Sequence, residues 1–171
     1  TTLYAYKEGS FLVSEGIPLH SLGKLTINNA ASSEFKSLTA IVPGIPNITF
    51  GNRFIAYPDE NNAIHEVGKN AFIPAIKISQ VKNAGLVAAG EDHLLIVDFE
   101  FRLHSMGRNQ HGQLGNGVTK NRNTPKKILD NIMSMAAGGN SSYAIDTTGN
   151  LYGWGNNDYG QLGIGNRKAQ K

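Results

Sequence analysis

The sequence predicts an all-β fold built from a repeated unit. Three observations support this prediction: glycines recur at a fixed spacing, short apolar segments flank turn-forming residues, and no stretch shows the three-and-four apolar period of an amphipathic helix. The chain has 171 residues, which is enough for a sizeable core. With 40% hydrophobic and 17% charged residues, it is expected to fold rather than to stay disordered.

The repeat is clearest in paired glycines. Three pairs share a spacing of 17 residues (155 − 138 = 17): Gly51–Gly68, Gly90–Gly107 and Gly138–Gly155. A fourth copy closes on Gly23, with Tyr6 in place of its leading glycine. Between closing glycines the steps are 45, 39 and 48 residues (68 − 23, 107 − 68 and 155 − 107). Steps of this length are typical of propeller blades or of another repeat array.

Each unit is predicted to contain a hairpin. In the last unit, Ser142–Ile145 is mostly apolar, Asp146–Gly149 has the chemistry of a turn, and Asn150–Trp154 is the return strand. We expect two to four short strands per unit. The prediction is one repeat domain over 1–171, with units of about 1–44, 45–78, 79–131 and 132–171.

The last unit resembles the regulator of chromosome condensation repeat. The resemblance is carried by Ala136–Asn140, Asp146–Asn157 and Tyr159–Gly163. The preceding unit repeats the ending as Gly112–Gly115, the second unit keeps only the glycines and the spacing, and the first departs furthest from the pattern. The resemblance is therefore specific for residues 87 to 165 and weaker for 1 to 86.

The resemblance implies four-stranded blades of a seven-bladed β-propeller. At about 50 residues per blade, this chain would hold roughly half of a ring. Half a ring has two exposed sheet edges, which tend to pair with other chains. Three explanations are open: a fragment of a longer chain, a half that self-associates with another copy, or a short open array capped by a partner.

The resemblance also implies a protein-binding surface. The family's founding member promotes nucleotide exchange on Ran, so a Ran-like small GTPase is the expected partner. Exchange breaks no covalent bond, because a binder that prefers the nucleotide-free GTPase only shifts an equilibrium. The candidate partner-binding residues lie in three polar loops and are Asp59, Glu60, Asn61, Glu91, Asp92, Asp146 and Asn150.

Other functions remain open. One is a general protein-binding scaffold, as in ubiquitin ligases, or a bacterial effector aimed at host GTPases. Another is chromatin or nucleic-acid binding through a basic loop with Lys120, Arg122, Lys126 and Lys127. The net charge of +3 is mild, so nucleic acid ranks last among the partners.

No catalytic, cofactor-binding or metal-binding residues are predicted. His20, His65 and His104 occupy one place in successive units, where rotation about a ring axis separates them too far for ligand distances of about 2.0–2.1 Å to one ion. We expect them to pack within blades, and we expect His93 to make a structural hydrogen bond. The glycine-rich runs lack the Gly-Lys-Ser/Thr ending of a phosphate-binding loop.

The remaining sequence features favour an intracellular protein, cytoplasmic or nuclear, or located in the host cytoplasm for an effector. Cysteine is absent, which excludes disulfides and thiolate metal sites. The first residues lack the pattern of a signal peptide, and no run of about 18 apolar residues predicts a membrane span.

Overall fold

A computed structural model gives the fold of the protein. It describes residues 3–5, 12–14, 49–52, 54–58, 62–68, 72, 77–78 and 81–171. The chain forms two compact units, Thr1–Pro46 and Asn47–Lys171. In the first unit, strands β1 (Leu3–Ala5) and β2 (Leu12–Ser14) form an antiparallel pair.

The described residues of the second unit form three consecutive antiparallel sheets. In chain order their strands are β3 (Thr49–Gly51), β4 (Phe54–Pro58), β5 (Ile64–Gly68), β6 (Lys77–Ile78), β7 (Ala84–Ala89), β8 (His93–Asp98), β9 (Leu103–Gly107), β10 (Arg122–Leu129), β11 (Ile132–Gly138), β12 (Ser141–Asp146) and β13 (Leu151–Gly155). The sheets are β3–β6, β7–β10 and β11–β13. The prediction of an all-β fold made of propeller blades is confirmed, whereas the exact unit boundaries stay a prediction.

Strand β8 shows how the sheets stack. All six of its residues are buried, because sheet β7–β10 is covered on both faces. Leu94 and Ile96 belong to a core that includes Phe54 of β4. Leu95 and Val97 point the other way, into a core with Trp154 of β13. Because successive side chains of a strand point to opposite faces, one apolar strand contributes to two cores. These two cores join the three sheets into one stack.

The predicted basic loop is wrong in one respect, because residues from Arg122 onward form strand β10. This strand pairs with β9, and its register shifts between Arg122 and Lys126. Pro125 lies within that shift, and β10 is an edge strand of its sheet. Proline has no backbone N–H, and it is tolerated at such a position because no ladder hydrogen bond is needed from it there. Proline and lysine are poor strand formers, so the sequence alone indicates a loop here.

The part of the chain that the structure describes contains no helix with the length and apolar character needed to cross a membrane.

Candidate protein-binding site

Hairpin turns lie at both ends of the stacked sheets. At one end, the β3–β4, β7–β8 and β11–β12 turns are joined by backbone hydrogen bonds. The N–H of Asn52 donates to the carbonyl oxygen of Glu91 at 2.6 Å, and the N–H of Glu91 donates to that of Gly139 at 2.8 Å. These bonds hold the three turns as one continuous surface.

Charged side chains anchor this end of sheet β7–β10. Arg108 follows β9, and its backbone N–H donates to the carbonyl oxygen of Asp92 at 2.8 Å. Its guanidinium lies 3.4 Å from the Asp92 carboxylate and donates to the Gln110 side chain at 2.5 Å. Asp92 is buried and Glu91 is exposed, so Glu91 is the carboxylate offered to solvent.

Asn140 connects two sheets. Its Nδ2 donates to the exposed Glu91 carboxylate at 3.1 Å, and its Oδ1 accepts from Nε2 of Gln113 at 2.8 Å. Both partners belong to the preceding unit, while Asn140 stands in the β11–β12 turn. The side chain is therefore held in a fixed orientation at the boundary between the sheets.

An exposed aromatic side chain borders the same region. Tyr159 is 90% exposed, and its backbone N–H is held by the Gln161 side chain at 3.0 Å. Nδ2 of Asn156 donates to Asp158 at 2.8 Å, while Oδ1 of Asn156 accepts from Gln161 at 2.8 Å. A shallow cavity of about 410 Å³ lies between Asn140, Asn156 and Tyr159.

We name this surface the turn face. It consists of Glu91, Asp92, Arg108, Asn140, Asn156 and Tyr159. Only Glu91 and Asp92 are predicted from the sequence. The repeat could have identified one more residue, since a step of 48 residues (155 − 107) carries Asp92 to Asn140, whereas no predicted residue leads to Arg108, Asn156 or Tyr159 in this way.

The other predicted site residues lie elsewhere. Asp146 and Asn150 stand in the β12–β13 turn, at the opposite end of the strands from the turn face. Asp59, Glu60 and Asn61 lie outside the described residues. One compact surface cannot therefore hold both Glu91 and Asp146.

Asp146 stabilises its own turn. Its buried carboxylate accepts from the backbone N–H groups of Thr148 and Asn150 at 2.9 Å, from both of their side chains, and from the Tyr152 hydroxyl at 3.0 Å. The hydrogen bonds from Asn150 and Thr148 hold the pKa of Asp146 well below its usual value. The exposed side chains of this turn are those of its neighbours, so Asp146 has a structural task here.

Asp98 repeats this arrangement in sheet β7–β10. It accepts from the backbone N–H of Arg102 at 3.0 Å and lies 3.0 Å from Nε2 of His104. Burial alone would raise the pKa of Asp98, but hydrogen bonds from His104 and Arg102 outweigh it and lower the pKa. His104 and Tyr152 occupy one repeat position, and the side chain of each makes a hydrogen bond with the aspartate that precedes the hairpin turn of its own sheet.

We expect Asp146→Ala to lower the thermal unfolding midpoint at pH 7. A carboxyl group whose pKa is lower in the folded than in the unfolded state stabilises the folded protein at a pH above its unfolded pKa of about 4. This stabilisation is lost as the pH falls below that value. The difference between wild type and variant should therefore narrow from pH 5 to pH 2. Asp130→Ala is the control, since Asp130 forms an exposed ion pair with Lys127. An equal effect of both variants at pH 7 would contradict this role.

A buried hydrogen-bond network joins sheets β7–β10 and β11–β13. The hydroxyl of Ser142 donates to the carbonyl oxygen of Gln113 at 2.8 Å, and Nε1 of Trp154 donates to the same oxygen at 2.9 Å. Nε2 of His93 lies 2.8 Å from Oγ of Ser142. Because Ser142 uses its only proton on Gln113, His93 donates from Nε2. The predicted structural hydrogen bond of His93 is confirmed.

Two buried titratable groups respond to pH in opposite directions. Burial lowers the pKa of His93 from 6.5 to about 4, against the attraction of Asp92. Burial raises the pKa of Glu66 in β5 from 4.5 to about 7, and neither of its carboxylate oxygens has a hydrogen-bond partner among the described residues. Acidification therefore destabilises the fold through His93 and stabilises it through Glu66.

We expect His93→Gln to remove part of the pH dependence of stability. Neutral folded His93 stabilises the protein above pH 6.5, and this contribution falls by about 3 kcal/mol as the pH drops towards 4. Urea unfolding at pH 7, 5.5 and 4.5 measures the difference between wild type and variant, so the Glu66 contribution cancels. His111→Gln, on the turn face side, is the control. A pH-independent difference would refute the assignment.

The four basic residues lie on β10 and in the segment just before it, and they differ in exposure and in their partners. The ammonium group of Lys127 lies 3.0 Å from the Asp130 carboxylate, and Lys126 is exposed on the same strand. Lys120 precedes β10, and its backbone carbonyl accepts from the buried Asn109 side chain at 3.2 Å. Arg122 is half-buried. Three of the four residues lie on the edge strand β10, and Lys120 lies just before it.

Comparisons with known proteins agree with this architecture. Two family models for the regulator of chromosome condensation (RCC1) repeat match residues 102–145 and 134–161. No curated protein sequence matches the chain.

Three solved structures share the fold. Human WBSCR16 is 19% identical, with a TM-score of 0.67 over 78% of this chain and 42% of its own. Prp20p from Saccharomyces cerevisiae is 23% identical, with a TM-score of 0.65 over 78% of this chain and 38% of its own. Yeast RCC1 (Prp20) bound to Kap60 is 21% identical, with a TM-score of 0.67 over 95% and 43%. The chain spans about two fifths of each. This chain therefore carries repeats of the regulator of chromosome condensation family, folded as blades of a partial β-propeller.

Proposed function

We propose that this chain is a protein-binding propeller that holds its partner on the turn face. The observation that carries the proposal is the joining of polar side chains from two sheets, through Asn140, beside the exposed Tyr159. Tyrosine, asparagine and arginine side chains are suited to protein recognition, because they combine apolar area with hydrogen bonding. Loops placed by a rigid sheet scaffold commonly carry such function.

The partner that we propose is a Ran-like small GTPase. Prp20p, which shares this fold, has been studied for its binding to Gsp1p and histones. Glu91 and Asp158 offer exposed carboxylates beside polar amides, a chemistry that can compete with phosphate for the basic groups of a nucleotide site. The nucleus or cytoplasm is the location that this partner implies.

Nucleotide exchange is the finer proposal. A partner that binds the nucleotide-free GTPase more tightly than the loaded form lowers the affinity for nucleotide by the same factor. The chain's own residues would act only by binding and positioning, and no bond is broken in the process.

The test is binding of purified Ran, with and without nucleotide, to wild type, Glu91→Lys and Glu100→Lys. Both substitutions reverse one exposed glutamate, but Glu100 stands at the opposite end of the strands. We expect Glu91→Lys to weaken binding by about tenfold or more, which is about 1.4 kcal/mol. Glu100→Lys should stay within about twofold of wild type.

Each outcome decides one part of the proposal. Faster release of a fluorescent nucleotide from Ran would support exchange. Equal affinity for loaded and nucleotide-free Ran would overturn exchange and favour a scaffold, because a ligand without preference shifts no equilibrium. If neither nucleotide-loaded nor nucleotide-free Ran bound the chain, the proposal of a Ran-like GTPase as partner would be overturned. If Glu91→Lys and Glu100→Lys weakened Ran binding equally, the turn face would not be the binding surface.

A further inference from the structure

Two exposed phenylalanines stand at the tip of one hairpin. The β8–β9 turn contains Phe99, which is 60% exposed, and Phe101, which is 50% exposed. Sheet β7–β10 is already covered on both faces, so the stacking of sheets does not bury this turn. Large apolar side chains that are exposed together, rather than singly, are typical of interaction sites.

The repeat shows that the fold does not require phenylalanine at this tip. The steps between closing glycines place Phe101 in register with Asn62 and Gly149 (101 − 39 = 62 and 101 + 48 = 149). All three residues have a positive φ, which is +60° at Phe101, +56° at Asn62 and +92° at Gly149. Asparagine and glycine tolerate this conformation, whereas a bulky side chain is strained in it. The chain therefore carries an exposed phenylalanine where that residue lowers stability.

The phenylalanines do not change the frame of the turn. The N–H of Phe101 donates to the carbonyl oxygen of Asp98 at 2.9 Å, and the N–H of Gly149 donates to that of Asp146 at 3.0 Å. The two turns therefore close through the same hydrogen bond, with and without the aromatic rings. Formation of the hairpin does not account for the rings, so we looked for a role at the surface.

The ring of Phe99 lies against bare backbone. A Cβ atom at Gly85 of β7 would lie 2.8 Å from two carbons of this ring, so the missing side chain makes room for it. Met133 continues the apolar surface on the adjoining sheet. It is 52% exposed and follows Ile132, whose N–H donates to the carbonyl oxygen of Phe101 at 2.8 Å. We name Phe99, Phe101 and Met133 the apolar patch.

Carboxylates outnumber cations around the apolar patch. Among the described residues, the charged groups in these turns, with their ion-pair partners, are Asp98, Glu100, Asp130, Asp146, Lys82, Arg102 and Lys127. Their net charge is −1 (3 − 4), whereas the whole chain carries +3. The side chain of Glu100, between the two phenylalanines in sequence, is 65% exposed.

We propose that the apolar patch binds a segment of a second protein that combines apolar side chains with lysine or arginine. The apolar side chains of the segment pack on the two phenyl rings. Its cations pair with Glu100 and lie over the exposed ring faces, which attract positive charge. The proposal is independent of the turn face, because the apolar patch lies at the opposite end of the strands.

Two other occupants fit these charges less well. An anionic membrane surface repels the carboxylates around the patch. A second copy of the chain, docked through the same patch, brings Glu100 towards its own counterpart, and like charges across an interface are unfavourable. The combination of aromatic rings and carboxylates therefore favours a cationic protein segment.

The test selects short random peptides, displayed on phage, that bind the whole chain. A counter-selection uses the triple variant Phe99→Thr, Glu100→Thr, Phe101→Gly, which gives the turn the residues found at 147–149. We expect this variant to keep its thermal midpoint within about 3 °C of wild type, because glycine relieves the strain at position 101. We expect the retained peptides to be enriched in leucine or aromatic residues together with lysine or arginine.

Binding of the selected peptides is then measured by fluorescence anisotropy. We expect the triple variant to bind them at least about tenfold more weakly than wild type, and Glu100→Lys about fivefold more weakly. Tyr159→Ala is the matched control, since it removes an exposed ring at the turn face, and it should stay within about twofold of wild type.

Four outcomes would overturn the proposal. These are a selection that retains no peptide, retained peptides without lysine or arginine, and an equal loss of peptide binding in Tyr159→Ala and the triple variant. The fourth is binding of phosphatidylserine vesicles to wild type and not to the triple variant, because the patch would then bind a membrane.

Discussion

Gly155→Ala is expected to destabilise the protein by about 3 to 5 kcal/mol. Gly155 closes β13 with a φ of +98°, a conformation that disfavours side chains. A Cβ atom here would lie 2.3 Å from the carbonyl oxygen of Asn140 and 3.0 Å from Cα of Ser141. Both contacts are with backbone atoms, so no flexible side chain can move aside. Urea unfolding monitored by circular dichroism measures the loss.

Gly163→Ala is the matched control for this prediction. Gly163 also has a positive φ, +67°, but nothing lies within 4 Å of its Cβ position. Only the conformational cost of about 1 kcal/mol is expected. If the two variants lost the same stability, the close approach of β13 to the β11–β12 turn would not be what requires glycine at position 155.

Trp154→Ala is the second large effect, with an expected loss of about 3 to 5 kcal/mol. Trp154 is 6% exposed, packs in the core between two sheets, and donates to Gln113 across their boundary. Its removal leaves a cavity where the sheets meet. Circular dichroism is the suitable probe, because the chain has one tryptophan and its fluorescence disappears with the substitution.

Two further variants separate packing from hydrogen bonding. Trp154→Phe keeps an aromatic ring and loses the N–H donor, while Gln113 still accepts from Ser142, so a loss of about 1 to 2 kcal/mol is expected. Tyr159→Ala removes an exposed ring and should cost less than about 0.5 kcal/mol. A loss for Trp154→Ala as small as that for Tyr159→Ala would show that the sheets do not depend on this contact.

Most of the architecture could be predicted from the sequence. Glycine spacing and hairpin chemistry predict the three sheets of the second unit, because these features depend on local backbone geometry and recur in the last three repeats. Strand β10 was not predictable in the same way, since Pro125 and its lysines have low strand propensity and the pairing with β9 overrides it.

The turn face could be predicted only in part. Glu91 stands out as a polar turn residue, but Asn140 and Asn156 are held by contacts with Glu91 and His111 of the preceding unit, which local patterns do not encode. Asp146 is equally polar in sequence, yet its carboxylate is occupied by five hydrogen bonds within the turn. Polarity alone does not distinguish a group that binds a partner from one that holds a loop.

Hydrogen–deuterium exchange of the whole chain, with and without nucleotide-free Ran, tests the central claim most directly. If the turn face binds the partner, amides in 90–92, 108–111, 139–140 and 156–159 become protected, while those in 98–102 and 146–150 at the opposite end do not change. Protection confined to 98–102 and 146–150, or no protection at either end, would contradict the turn face as the binding surface.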